Sequence, residues 1–123
     1  MSVSRYLAKK YYSTQVRREE KTHLGQWMIL YRWQEQALAT DFREMHQIIP
    51  PNDRFYADPF CATENDRSFI FIEEYPFANP IGFISVIEVF KDGSHSAAIP
   101  IIKCDYHLSY PLLFKHDGQW FMM

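Results

Sequence analysis

The sequence predicts a mainly β fold built from four-stranded units of the propeller type. Three observations lead there. The first is the aromatic content: 3 Trp, 8 Tyr and 10 Phe against only 4 Gly and 7 Pro, a composition that suits strands packed by large flat side chains. The second is a regular succession of short apolar runs broken by polar turns from residue 60 onward. The third is a self-similarity. Asp58-Pro-Phe60, Asp66 and Phe69-Ile-Phe71 are echoed by Tyr110-Pro-Leu112, Asp117 and Trp120-Phe-Met122, with Pro59 and Pro111 52 positions apart and Asp66 and Asp117 51 apart.

The elements follow in order. Residues 5–22 mix Tyr6, Leu7, Tyr11 and Tyr12 with charges and suit a short helix or an irregular leader. Gln26 to Trp33 is aromatic and branched and reads as a strand. Gln34 to Met45 is a polar connector, with Ala37, Leu38 and Phe42 spaced like one helical face. Pro50 and Pro51 end it. Phe60–Thr63 is a short strand, Glu64–Arg67 a polar turn, and Ser68–Tyr75 a strongly apolar strand. Pro76 to Pro80 is a loop. Gly82–Phe90 is a further strand, followed by the turn signal Lys91-Asp-Gly93. Ala97–Lys103 comes next, and Pro100 within it predicts an edge position. Leu112–Phe114, His116-Asp-Gly118 and Gln119–Met123 repeat strand, turn and strand.

Four-stranded units recurring at about 50 residues are the signature of propeller blades. Such a blade cannot bury both faces alone, and a closed ring needs at least four. The chain holds one full blade and the start of a second. It therefore reads as a basic leader, 1–23, followed by a partial propeller domain, 24–123, of a longer protein or a truncated product.

Composition and charge remove several classes. Hydrophobic residues make up 47% and charged residues 23%, a globular balance rather than a disordered one. No apolar run reaches the roughly 18 residues that a membrane-spanning helix needs, and the N-terminus lacks the apolar core of a signal peptide. A cytoplasmic location is the resulting expectation. The net charge of −2 is uneven. Arg5, Lys9, Lys10, Arg17, Arg18 and Lys21 outweigh Glu19 and Glu20, while the remainder is acidic and disfavours nucleic acid as a partner. Cys61 and Cys104 lack CxxC spacing, which argues against zinc, and their apolar neighbours predict buried thiols. No phosphate loop, nucleotide fingerprint or nucleophile elbow is present. Asp105-x-His107 alone makes no metal site. No cofactor is implied.

Asp58 is the sharpest candidate for chemistry. It precedes Pro59 at the start of a blade, where inner strands point toward the central cavity. The proline predicts extended backbone at Asp58 and a fixed carboxylate direction. Asp58 could act as a base or accept sugar hydroxyls; a simple Asp-Pro turn cap is the alternative. Glu73 and Glu74 close the long apolar strand, and alternation lets only one of them face a pocket. Asp58 with either glutamate could flank a glycosidic bond, which requires carboxyl groups roughly 5 to 9.5 Å apart; the alternative is a solvated strand end. His107, Ser109 and Tyr110 occupy the corresponding stretch of the second unit. They are groups that bind sugar hydroxyls, and Tyr110 could stack on a sugar face. A core or capping role for His107 stays open.

Asp53–Phe60, Phe71-Ile-Glu-Glu74, Gly82–Val86, Tyr106–Pro111 and Gly118–Met122 together resemble the N-terminal domain of the glucosamine inositolphosphorylceramide transferase family. The resemblance covers about residues 24–123. It implies a five-bladed propeller of the superfamily containing glycoside hydrolase families 32, 43 and 62, and a carbohydrate or sugar-transfer context. In family-43 hydrolases the Asp-Pro aspartate of the first blade is the general base, and Asp58 matches it. The second unit has Tyr110 where an aspartate would stand. The general-acid glutamate of those enzymes comes from a later blade, and sugar transfer in the transferase family from a separate C-terminal domain. The expected partners are a carbohydrate or glycolipid head group and the remaining blades or a transferase domain. The expected function is a domain that binds or processes a sugar. The alternatives are a non-catalytic sugar-recognition or scaffold module and a functionless fragment.

Overall fold

The computed structural model describes residues 25–33 and 43–123. The expected leader helix, and the connector up to residue 42, lie outside the described residues. Among the described residues every regular element is a strand: β1 (Ile29–Tyr31), β2 (His46–Ile48), β3 (Arg54–Glu64), β4 (Arg67–Pro76), β5 (Phe83–Val89), β6 (Ile99–Ile102), β7 (Leu113–His116) and β8 (Gln119–Met122). The mainly β expectation holds. β2 was not foreseen, because its three residues sit between polar and proline-rich sequence.

β3 to β6 form one antiparallel sheet in sequence order, flanked by the hairpins β1-β2 and β7-β8. β6 is an edge strand, as Pro100 predicts: a missing N–H is harmless where no further strand pairs. β3 is much longer than its apolar core. It starts at Arg54, held by pairing with β4 from Arg54↔Pro76 to Glu64↔Arg67.

Strand alternation sorts the central sheet into two faces. Tyr56, Ile70, Ile72, Ile87 and Val89 point to one face and bury against Ile29, Tyr31 and Ile48 of the β1-β2 hairpin. Phe69 and Phe71 point to the other, where Leu113 and Trp120 of the β7-β8 hairpin lie across them. Burying Ile70, Ile72 and Ile87 contributes about 1.5–3 kcal/mol each. Aromatic cross-strand pairs add to this: Phe55 stacks on Tyr75 at 4.7 Å, and Phe114 on Phe121 at 5.4 Å.

The self-similarity is stricter in the backbone than in the sequence. Asn65 and Asp66 have φ of 50° and 60°, and Asp117 and Gly118 have 48° and 77°. These are the paired positive φ values that tight two-residue hairpin turns require. The turn therefore aligns Asn65 with Asp117 and Asp66 with Gly118, which corrects the Asp66–Asp117 match and makes the spacing a uniform 52. Asp58 and Tyr110, also 52 apart, both have positive φ (48° and 55°), and each precedes a proline.

Two expectations fail here. Asp58 is not extended. Pro59 cannot donate to the ladder, and β3 responds with a bulge: pairing jumps from Ala57↔Glu73 to Phe60↔Phe71. Two residues then stand opposite one, and Asp58 takes the left-handed conformation that aspartate tolerates better than most residues. The cysteines are not both buried either. Cys61 is exposed and Cys104 half-buried. Cys61 lies on the outer strand of its sheet and lines a groove with Arg32 and Trp33.

Candidate functional site

The bulge in β3 decides what Asp58 can reach. Ala57 is paired with Glu73, and the turn of the chain at Asp58 brings its carboxyl into hydrogen-bonding contact with that of Glu73. Glu73 is only 6% exposed. Burial, then the hydrogen bond and the charge of Asp58, push Glu73 up to about 7. Two carboxyls in such contact cannot both be ionised cheaply, so the pair holds a proton where a lone glutamate would have lost it.

His107 completes the cluster. Its Nε2 lies 3.3 Å from Glu73 Oε1. The backbone N–H of Gly82 donates to His107 Nδ1 at 3.0 Å. Nδ1 is therefore the acceptor nitrogen, and the hydrogen of a neutral ring sits on Nε2, the nitrogen in contact with Glu73. The Leu108 N–H in turn donates to the Gly82 carbonyl at 2.8 Å. The approach is close enough to demand glycine. A Cβ at position 82 would stand 2.8 Å from His107 Cε1, 2.8 Å from the Leu108 carbonyl oxygen and 3.0 Å from Glu73 Oε1. Tyr75 borders the other side of the imidazole, its ring 5.7 Å away.

Glu74 does the opposite. It points to the β1-β2 face, 3% exposed. It forms an ion pair with Arg54 Nη1 and accepts a 2.6 Å hydrogen bond from Ser85 Oγ. Arg54 also holds Asp53 through two hydrogen bonds of 2.8 and 2.9 Å. Glu74 is thus fully engaged in holding β3, β4 and β5 together.

The alternation argument thus holds, since the two glutamates face opposite ways. The solvated strand end does not, because both are buried. The Asp58 and Glu73 carboxyls are in contact with each other. Tyr110 meets β3 just past Pro59: its ring packs edge-on against Phe60 at 4.9 Å and stays 60% exposed. Ser109 is exposed. The structure thus brings His107 onto Glu73 and Tyr110 onto the bulge, and sets Glu74 apart. Gly82, Arg54 and Ser85 were missed. Gly82 alone carried a signal, as one of only four glycines, standing at the entry of a strand. Among the described residues no group of three or more His, Cys, Asp and Glu side chains could hold a metal ion. Among them no helix is long and apolar enough to cross a membrane.

The comparisons with known proteins bear on the same segment. Residues 43–123 match the family described as glucosamine inositolphosphorylceramide transferase 1, N-terminal. The chain belongs to this family. The matched stretch contains the bulge, both glutamates, Gly82 and His107. Two curated relatives, both named glucosamine inositolphosphorylceramide transferase 1, come from Oryza sativa subsp. indica and subsp. japonica. Each is 33% identical over 70 residues, 56% of this chain. The aligned stretch spans 9% of the relatives' length. No solved structure matches significantly.

Proposed function

We propose that the chain is part of a five-bladed β-propeller of the glycoside hydrolase family 32, 43 and 62 type. In this reading it binds or processes a carbohydrate or glycolipid head group at the end of the sheet marked by Asp58. The observation that carries the reading is the repeated device at Asp58 and Tyr110. Each is a left-handed residue before a proline, in hairpins related by a constant 52 residues. A strained conformation persists where surrounding structure enforces it, and such strain gathers at functional sites. In a ring of such units the equivalent positions face one cavity. One unit would present the carboxylate of Asp58 and the next the exposed ring of Tyr110, a hydroxyl acceptor beside a flat stacking surface. His107 and Ser109 border the same end. The family's name, which links glucosamine, inositol phosphate and ceramide, supports a glycolipid head group.

Turnover, if the domain performs it, would use Asp58 as base at an anomeric carbon, with the acid supplied by a carboxyl other than Glu73 or Glu74. The second reading is a sugar-recognition module serving a transferase domain. It is favoured by the tight engagement of Glu74 with Arg54 and Ser85 and by the contact of Glu73 with Asp58. The test is Asp58→Asn in the intact protein, with glycan binding and turnover measured together. Lost turnover with binding kept supports the enzyme. No turnover by the unmutated protein across glycosides and sugar donors, with binding lost in the variant, supports recognition. Binding and turnover both unchanged would remove Asp58 from the site.

A further inference from the structure

We propose that Glu73 and His107 are positioning residues for Asp58, joined in one hydrogen-bonded line that starts at the Gly82 amide. In this line the Gly82 N–H donates to His107 Nδ1, His107 Nε2–H donates to Glu73, and Glu73, as the neutral acid, donates its proton to Asp58.

Each link has its own physical cause. The Gly82 amide can only donate, so Nδ1 must accept and the single hydrogen of the neutral ring falls on Nε2. Nε2 lies 3.3 Å from Glu73 Oε1, a polar contact between the ring and the carboxyl. Two carboxyls in contact need a hydrogen between them. The burial of Glu73 and the partial exposure of Asp58 place that hydrogen on Glu73, since the charge is cheaper on the better solvated oxygen. The groups facing Glu73 are consistent. From β3 comes Asp58, and from the β6-β7 connection His107. β5 contributes the apolar Ile84 as its register partner. The neighbouring cation Arg54 is committed to Glu74 and Asp53 on the other face. The bulge would otherwise let the Asp58 carboxylate turn freely at the strand edge. The line fixes which oxygen is tied back and leaves the other for a ligand.

This inference rests on the reading that Asp58 belongs to a ligand site, but its test needs no ligand. Two nuclear magnetic resonance measurements on the intact protein decide it. The first is the tautomer of His107 from its ring nitrogens in the unmutated protein. Hydrogen on Nε2 is expected, and hydrogen on Nδ1 would overturn the line. The second is a carboxyl-carbon titration. One carboxyl of the pair is expected to titrate roughly between pH 6 and 8, and the step should vanish in Glu73→Gln. Glutamine keeps both a donor toward Asp58 and an acceptor toward His107, so the Nε2 hydrogen should survive in that variant. Absence of any carboxyl step in that range, or its persistence in Glu73→Gln, sinks the proposal. The outcomes separate from those of the carbohydrate reading. If both signatures are found while Asp58→Asn leaves glycan binding unchanged, the line stands and the carbohydrate reading falls.

Discussion

Glu73 and Glu74 are neighbours of the same chemical type, yet the fold gives them opposite states. Glu74 is buried against a cation and a hydroxyl, Arg54 and Ser85, and is satisfied as an anion. Glu73 is buried against another carboxyl and a histidine. Alternation along β4 sends one to each face, and the faces differ in what covers them. The anion that meets a cation works as a structural tie. The acid that meets an acid is held in an unfavourable environment, and environments of that kind cluster where proteins bind or react.

The contrast can be broken at either glutamate. The largest effect is expected for Arg54→Met, which removes the cation and leaves Glu74 charged in a nearly dry site. Breaking a buried pair from one side costs about 3 kcal/mol or more. The midpoint of urea unfolding should fall accordingly, and Glu74→Gln in the same background should recover part of the loss. An unchanged midpoint would mean that Glu74 is not tied by Arg54.

At Glu73 the effect depends on pH, and its sign is opposite to that of a salt-bridged acid. The folded chain holds the Glu73 proton up to about 7, whereas the unfolded chain releases it near the ordinary glutamate value. Between those values the folded state binds more protons, so its stability falls as pH rises and levels off above neutrality. The span corresponds to roughly 3 kcal/mol at most, since each unit is about 1.4 kcal/mol. Glu73→Gln should therefore equal or exceed the unmutated chain in stability at mildly alkaline pH and lose its advantage in acid. Chemical unfolding of both proteins across that range checks this, because the contributions of the carboxylates outside the Asp58–Glu73 pair cancel in the difference.

Gly82→Ala probes the packing that makes the site. The added methyl would meet His107 and the Leu108 carbonyl at 2.8 Å. Backbone at that distance cannot yield like a side-chain tip, so a loss of about 1–3 kcal/mol is expected, the usual cost of overpacking. The His107 ring should also lose its single tautomer. The smallest effect belongs to the tie between the two related hairpins. Lys115 Nζ and Trp120 Nε1 both donate to Glu64 Oε2, at 2.6 and 3.0 Å, in solvent. Exposed pairs of this kind contribute little, so Glu64→Ala should leave the unfolding midpoint nearly unchanged.

Much of the fold is legible in the residues themselves. Ser68–Tyr75 and Gly82–Phe90 carry their strands in branched and aromatic runs, and Pro100 announces an edge. Asn65-Asp66 and Asp117-Gly118 are turn sequences that accept positive φ locally. β2 is hidden, since three residues between prolines and polar sequence carry no periodicity. The extended reading of Asp58 follows the ordinary effect of a following proline. It fails because a ladder that must skip one N–H gains more from a bulge than from keeping that residue extended.

By itself, then, the sequence determined most of the strands, the repeated hairpin and the opposition of Glu73 to Glu74. These depend on alternation and on turn conformations, which act over a few residues. Only the tertiary structure decided that Asp58 meets Glu73, that Arg54 takes Glu74, and that His107 lies over Gly82. Those contacts join residues far apart along the chain. They exist because the bulge, the register of β3 on β4 and the passage of His107 and Leu108 across Gly82 are set together by packing.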